Sequence, residues 1–153
     1  MEDLDRIDRN ILKHLQANGR LTNAELAKLV HSSPATCHRR TQRLFDEGYI
    51  QSVRAQVDPS KVSRGTLILV GVVLDRSTSE SFAAFENAIK QLDVVLDCYL
   101  VAGDFDYFVK VRVRDMADFN QLHADTLISL PGVRQTRTFF AMKEVTDNAP
   151  LEF

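Results

Sequence analysis

Ser33-Pro34-Ala35-Thr36-Cys37-His38-Arg39-Arg40-Thr41-Gln42-Arg43-Leu44-Phe45-Asp46-Glu47-Gly48 reads as one short helix with both ends marked. Ser33 is of the type that caps free backbone N–H groups, Pro34 suits the first helical position, and Gly48 can take the left-handed conformation past a last turn. At helical spacing Cys37, Thr41, Leu44 and Phe45 fall on one face, while Arg39, Arg40 and Arg43, with Thr36 and His38, point elsewhere. The stretch predicts a small inward face and a basic outward one. Residues 31–43 hold three arginines, two histidines and no acid. Charge alone favours a solvated helix face, although salt screens charges beyond roughly 10 Å and a local basic patch can bind phosphate even on an acidic chain.

The residues upstream decide between those readings. Residues 1–18 carry the stripe Leu4, Ile7, Ile11, Leu12 and Leu15, with Asp5 and Asp8 near the positive end of the helix dipole, and Asn18-Gly19 as a stop. A second helix opens on Thr22 and Glu25 at capping-box spacing, with Leu21 and Leu26 placed for a hydrophobic staple and Leu26, Ala27, Leu29 and Val30 as its buried face. His31-Ser32-Ser33 is a short turn into the basic helix. Three helices with links this short form a helix-turn-helix pattern: the short second link fixes an angle, so the third helix protrudes while the second braces it. Beyond Gly48 the period changes to two. Val53, Ala55 and Val57 alternate with polar residues as in a strand, and Pro59-Ser60-Lys61 ends it. The division is therefore expected at 60/61, giving domains 1–60 and 61–153.

The second part reads as strand 66–74, helix Ser79–Leu92, strand Val94–Val101, turn Gly103-Asp104-Phe105-Asp106, strand Tyr107–Arg114, helix Met116–Leu130 and strand Val133–Glu144. That order, βαββαβ, is ferredoxin-like, and the chain as a whole is α+β: a winged-type helix-turn-helix domain followed by the ferredoxin-like one. Two helices cover one face of such a sheet. The strands read as apolar on both sides, so the second face needs a cover, and a homodimer packed through the sheets would supply it. The tail after Val145 is expected to be loosely ordered, with Leu151 and Phe153 as anchors.

Totals bound the function classes. A chain of 153 residues, 44% hydrophobic and 26% charged, is of ordinary globular composition. No apolar run suits a membrane span, and no signal peptide opens the sequence. Two distant cysteines imply neither a disulfide framework nor a zinc site, which points to a reducing cytosol. Residues 1–60 hold nine Lys/Arg against eight Asp/Glu, and residues 61–153 ten against thirteen. The basic character is thus local to the third helix. The histidines lack metal-site spacing, and there is no Gly-rich phosphate loop or nucleophile elbow, so no metal, cofactor or catalytic set is expected.

Leu4-Asp5-Arg6-Ile7-Asp8-Arg9-Asn10-Ile11-Leu12, the run Ser33-Pro34 through Arg40 with Arg43-Leu44, Gly48 and Ile50, the turn Gly103-Asp104-Phe105-Asp106-Tyr107, and Leu130-Pro131-Gly132-Val133 stand in an order and spacing that resembles the leucine-responsive and asparagine-regulator (Lrp/AsnC, "feast/famine") family of bacterial and archaeal transcription factors. The resemblance covers essentially the whole chain. It implies a cytoplasmic, nucleoid-associated regulator whose helix-turn-helix binds double-stranded DNA. The C-terminal domain would form homodimers that assemble into tetramers or octamers and respond to a small effector, usually an amino acid or related metabolite. By position it implies that Asp104 and the backbone of Ala102-Gly103 hold the effector's amino group. Leu100 and Tyr107 would line its pocket, with Gln135-Thr136 arriving from a neighbouring subunit.

Residue types then suggest roles. Ala35, Thr36 and Arg39 are assigned to base edges, since a guanidinium can bind guanine O6 and N7 with two hydrogen bonds and small residues admit a helix to the groove. Arg43 is assigned to phosphate. Arg40 has two readings, DNA contact or a brace to an acid in the first helix. Ser33 caps the helix or also meets a phosphate; His38 reads a base or is plain surface. Asp104 and Asp106 are turn formers that a symmetric assembly could turn into an amine site. Cys37 is read as core, with a redox role as the alternative. Two other classes fit the same two-domain pattern: a decarboxylase of tetrapyrroles that has lost DNA binding, and an architectural DNA binder without a ligand. The arginines on the third helix speak against the first.

Overall fold

The computed structural model describes residues 4–153, in two units: the chain up to Gln56 together with Val145–Phe153, and Val57–Glu144. The break falls a few residues before the expected 60/61. The last nine residues group with the first unit instead of the second. Their link to it is polar: the Gln16 side-chain amide donates to the Leu151 carbonyl (3.1 Å) and accepts from the Leu151 N–H (2.8 Å). Leu151 is thus anchored by its backbone, with its side chain exposed, and Phe153 lies with its ring 6.0 Å from Lys13 Nζ.

In the first unit, α1 (Arg6–Ala17), α2 (Asn23–Leu29) and α3 (Pro34–Asp46) enclose a core of Ile11, Leu12, Leu26, Ala27, Val30, Cys37 and Leu44. Each helix start carries a cap. Asp5 accepts from the N–H groups of Ile7 and Asp8 (2.9 Å each), and Asp8 answers on the Asp5 N–H, a capping box that the sequence reading had only as favourable charge at a dipole. The expected box of α2 is present: Glu25 N–H donates to Thr22 Oγ1 and Thr22 N–H to Glu25 Oε2. Ser33 Oγ accepts from the Thr36 N–H, capping α3.

The link between α2 and α3 is tightly built. His31 sits in the left-handed region (φ 54°), with its N–H on the Lys28 carbonyl and the Ser32 N–H on the Ala27 carbonyl. This is the double closure of a Schellman turn. Asn23 Nδ2 donates 2.8 Å to the Pro34 carbonyl, tying the start of α2 to the start of α3. Two inward assignments fail. Leu29 and Phe45 are exposed, because in such short helices Ala27 and Val30, and Cys37 and Leu44, already fill the inward sector. The strand expected at 53–57 is absent: among the described residues of this unit there is no partner strand, and Val53, Ala55 and Val57 are all exposed. Val53 instead lies on Gly19, where an added Cβ would stand 2.7 Å from its methyl group.

The second unit is a four-stranded sheet, β1 (Thr66–Leu74), β2 (Val95–Leu100), β3 (Tyr107–Val113) and β4 (Val133–Phe140), in the spatial order β2-β3-β1-β4 with every neighbouring pair antiparallel. With α4 (Ser79–Ile89) and α5 (Met116–Asp125) this is the expected ferredoxin-like arrangement. The helix expected to run to Leu130 ends at Asp125 and is followed by a single 3₁₀ turn, Leu127–Ser129, which still buries Leu127 and Leu130. The last strand stops at Phe140, not Glu144. On the helix side, Ile68, Val70, Val72 and Leu74 meet Tyr107, Val109, Val111 and Val113 beneath Phe85, Ile89 and Phe119.

The opposite face is less uniformly apolar than the sequence suggested. Register places Leu69 beside Lys110 and Phe139, and Gly71 beside Phe108 and Arg137. Lys110 pairs with Asp97 at 3.5 Å, and Arg112 with Glu144. At its centre the rings of Phe105, Phe108 and Phe139 cluster, with centroids 5.2–6.3 Å apart. Phe105 lies over Gly71, where any Cβ would come within 2.7 Å of the ring, so glycine is required here by close approach.

Candidate DNA interface and effector loop

The caps of α1 reach further than α1. Arg40 Nη1 sits 2.7 Å from Asp5 Oδ2 and 3.0 Å from Asp8 Oδ1, and Arg43 Nη2 lies 2.6 Å from Asp8 Oδ2. Asp8 is 1% exposed, so a buried carboxylate spends both oxygens on two arginines of the basic helix. The N–H of Asp8, and next Arg40, hold the Asp5 carboxyl below its usual pKa, against the opposing effect of burial. The same bonds to Asp5 and Asp8 raise the Arg40 pKa. Of the two readings of Arg40, the structure contains the brace.

Arg43, assigned by sequence to phosphate, also faces Asp8, though 43% of its side chain is exposed. The picture of three outward guanidinium groups is corrected accordingly: of the three, Arg39 alone is exposed and without a carboxylate among the described residues, and His38, Ala35 and Ser33 are exposed around it. Thr36 is half-buried, its Oγ1 accepting from Ser33 Oγ at 2.9 Å. Cys37 is fully buried; burial pushes its thiol pKa up, with the Thr41 hydroxyl acting against that shift. A buried, protonated thiol is poor material for the redox reading. Asp8 as the partner of Arg43 was not found from sequence. The available signal was an acid three residues after an N-cap Asp, one turn into the first helix.

The loop between β2 and β3 presents Ala102, Gly103 and Asp104 to solvent, with Gly103 at φ 143°. Asp106 belongs to the scaffold: its N–H donates to the Val72 carbonyl (2.9 Å) and its carboxylate accepts from the Leu74 N–H at 2.7 Å. One of its two carboxylate oxygens is thereby engaged by the scaffold. Tyr107 is buried on the helix side. Its hydroxyl donates to Glu86 Oε1 at 2.8 Å, and burial, then Glu86, push its pKa well up. Tyr107 and Leu100 line a cavity of about 420 Å³ between α4 and β2, with Glu86, Lys90 and Cys98. Ala102, Gly103 and Asp104 are not part of it. Gln135 and Thr136, being successive strand residues, point to opposite faces, and Thr136 Oγ1 is 2.8 Å from His123 Nε2. Within one chain the cavity thus takes in Leu100 and Tyr107 but not the loop residues, and Gln135-Thr136 are expected only from a neighbouring subunit. Among the described residues no group of three or more His, Cys, Asp or Glu could hold a metal ion.

Fold and site together define a helix-turn-helix unit and a ferredoxin-like unit in one chain. Residues 4–51 match the winged helix-turn-helix DNA-binding family, and residues 67–151 match the Lrp/AsnC ligand binding domain. The leucine-responsive regulatory protein of Klebsiella pneumoniae is 44% identical over 144 residues, which is 94% of this chain and 88% of that protein; its Escherichia coli K12 counterpart is equally similar. Among solved structures, a transcriptional regulator of Neisseria meningitidis in complex with L-Met superposes with a TM-score of 0.93 at 33% identity, covering 98% of this chain and 97% of that one. E. coli AsnC gives 0.86 at 25% identity, over 95% and 96% of the two chains. This chain belongs to the Lrp/AsnC family of transcriptional regulators.

Proposed function

We propose that the chain reads DNA through α3, with Arg39, Ala35 and Thr36 at base edges, Ser33 and Arg43 at the backbone, and Arg40 as an internal brace. It acts as an effector-responsive regulator and not as an enzyme. The observation that carries this is the exposed Arg39 on a helix held from behind by Asp5, Asp8 and Asn23. A preorganised guanidinium can present a bidentate face to guanine. His38, exposed beside it, is a surface residue in this reading. The protein works in the cytoplasm on the nucleoid, and no helix among the described residues is long and apolar enough to cross a membrane.

The effector is an amino acid or related metabolite, in keeping with the leucine-responsive relatives and the L-Met complex. Its site uses Asp104 and the Ala102-Gly103 backbone, with Leu100 and Tyr107, and is completed by Gln135 or Thr136 of a neighbouring subunit. Exposure of the loop supports a site finished by assembly. The aromatic cluster of Phe105, Phe108 and Phe139 supports a homodimer through the open sheet face, from which tetramers or octamers are built.

Two measurements test this reading. Duplexes selected by the wild-type chain from a random library should lose about 1–3 kcal/mol with Arg39→Ala at one base position and little elsewhere. A uniform loss over all sequences would move Arg39 to the backbone. In a thermal-shift screen of the twenty amino acids, a ligand at 100-fold its Kd stabilises by about 2.7 kcal/mol, and Asp104→Ala should abolish that shift.

A further inference from the structure

Arg40 and Arg43 lie three residues apart on α3 and meet the same carboxylate, yet their surroundings differ. The Arg40 side chain is 22% exposed, its Nη1 is shared between Asp5 and Asp8, and its Nε is buried. Arg43 is twice as exposed and gives Asp8 only Nη2. A guanidinium has five N–H donors in one plane. Fixing Nη2 on Asp8 therefore orients the remaining donors of Arg43 and leaves them open to solvent. Both oxygens of Asp8 are engaged: Oδ1 takes Arg40, and Oδ2 takes Arg43 and the Asp5 N–H.

We propose that Asp8 is a positioning residue for DNA binding. It removes Arg40 from the DNA surface and holds Arg43 by one edge, so that the other edge meets a backbone phosphate already oriented. The α1 capping box thereby decides which arginines of α3 touch DNA: Arg39 to bases, Arg43 to phosphate, Arg40 to neither. Asp8 contacts no nucleic acid itself.

Salt dependence separates this from a purely structural role, because each phosphate contact adds about 0.9 to the slope of log affinity against log salt. Fluorescence anisotropy on a random-sequence duplex is the measurement, with the full-length chain and its Arg43→Gln, Arg40→Gln and Asp8→Asn variants. Arg43→Gln should lower the slope by about one unit per binding site and weaken binding roughly three- to tenfold. Arg40→Gln should leave the slope unchanged, whatever it does to melting temperature. Asp8→Asn removes the negative charge that holds both arginines and leaves one acceptor oxygen where there were two. It should weaken binding to random and selected duplexes alike, and add nothing in the Arg43→Gln background. An equal slope change from Arg40→Gln, or independent multiplication of the Asp8→Asn and Arg43→Gln effects, overturns the proposal. Should Asp8→Asn fail to fold, the slopes of the two arginine variants still decide it.

Discussion

The α3 surface and the β2–β3 loop are both built from side chains that sequence can nominate, but they are finished differently. On α3 the chain supplies every partner itself: Asp5 and Asp8 for the arginines, Asn23 for the helix start, Ser33 for the cap. At the loop, Asp104 stands in solvent, Asp106 is absorbed into the backbone, and Gln135 and Thr136 face apart. A duplex is a large regular polyanion, and a rigid surface complete in one chain can meet it. A small effector needs enclosure on most sides, and in the proposed reading a second chain would supply it at this loop. If the site is shared between subunits as proposed, effector binding and assembly are coupled by construction.

The largest test of this contrast is Asp8→Ala. Removing the shared carboxylate leaves two arginines without their buried partner and should cost about 3 kcal/mol in urea denaturation, confined to the first unit. A cost below about 0.5 kcal/mol would mean that the helix-turn-helix surface is not completed by its own ion pairs. Phe139→Asp comes next. A charge placed in the aromatic cluster should weaken self-association about a hundredfold in sedimentation, near 2.7 kcal/mol, and abolish amino-acid binding with it. Retention of effector binding by a monomeric variant would break the comparison. Thr22→Ala removes the α2 cap that helps set the α2–α3 angle, for about 1 kcal/mol of stability.

The smallest effect is acidic. The Asp8 N–H and Arg40 lower the Asp5 pKa in the folded state, so this carboxylate's contribution is present above its unfolded pKa, about 3.9, and is lost as pH falls through the folded value. Melting of the first unit should soften across that acidic window. Arg40→Gln should shrink the dependence, and a pH profile unaltered by that change would detach Asp5 from the arginine brace.

Much of the fold was legible because it rests on local rules. The Thr22–Glu25 box, the Ser33-Pro34 start, the Gly48 stop and the alternation of β3 all depend on residues within a turn or a strand of one another, and all appear where periodicity puts them. Misreadings occurred where a local pattern lacked its long-range partner. The 53–57 alternation has no strand to pair with, and Phe45 and Leu29 found the inward sectors of short helices already full. The 126–130 stretch kept its buried leucines but left the α-helix one turn early.

By itself, then, the sequence determined the three-helix head, the βαββαβ order and the basic α3, since capping, helical period and strand alternation act over a few residues. Only tertiary structure decided which arginines meet Asp8. Asp8 and Arg43 are 35 positions apart, and nothing in either neighbourhood encodes a 2.6 Å contact. The same holds for Asp106, whose carboxylate is a turn former by composition and a partner of the Leu74 N–H by folding. Partner choice among charged groups is settled by packing, because a buried carboxylate must be satisfied by whatever donors the fold brings to it.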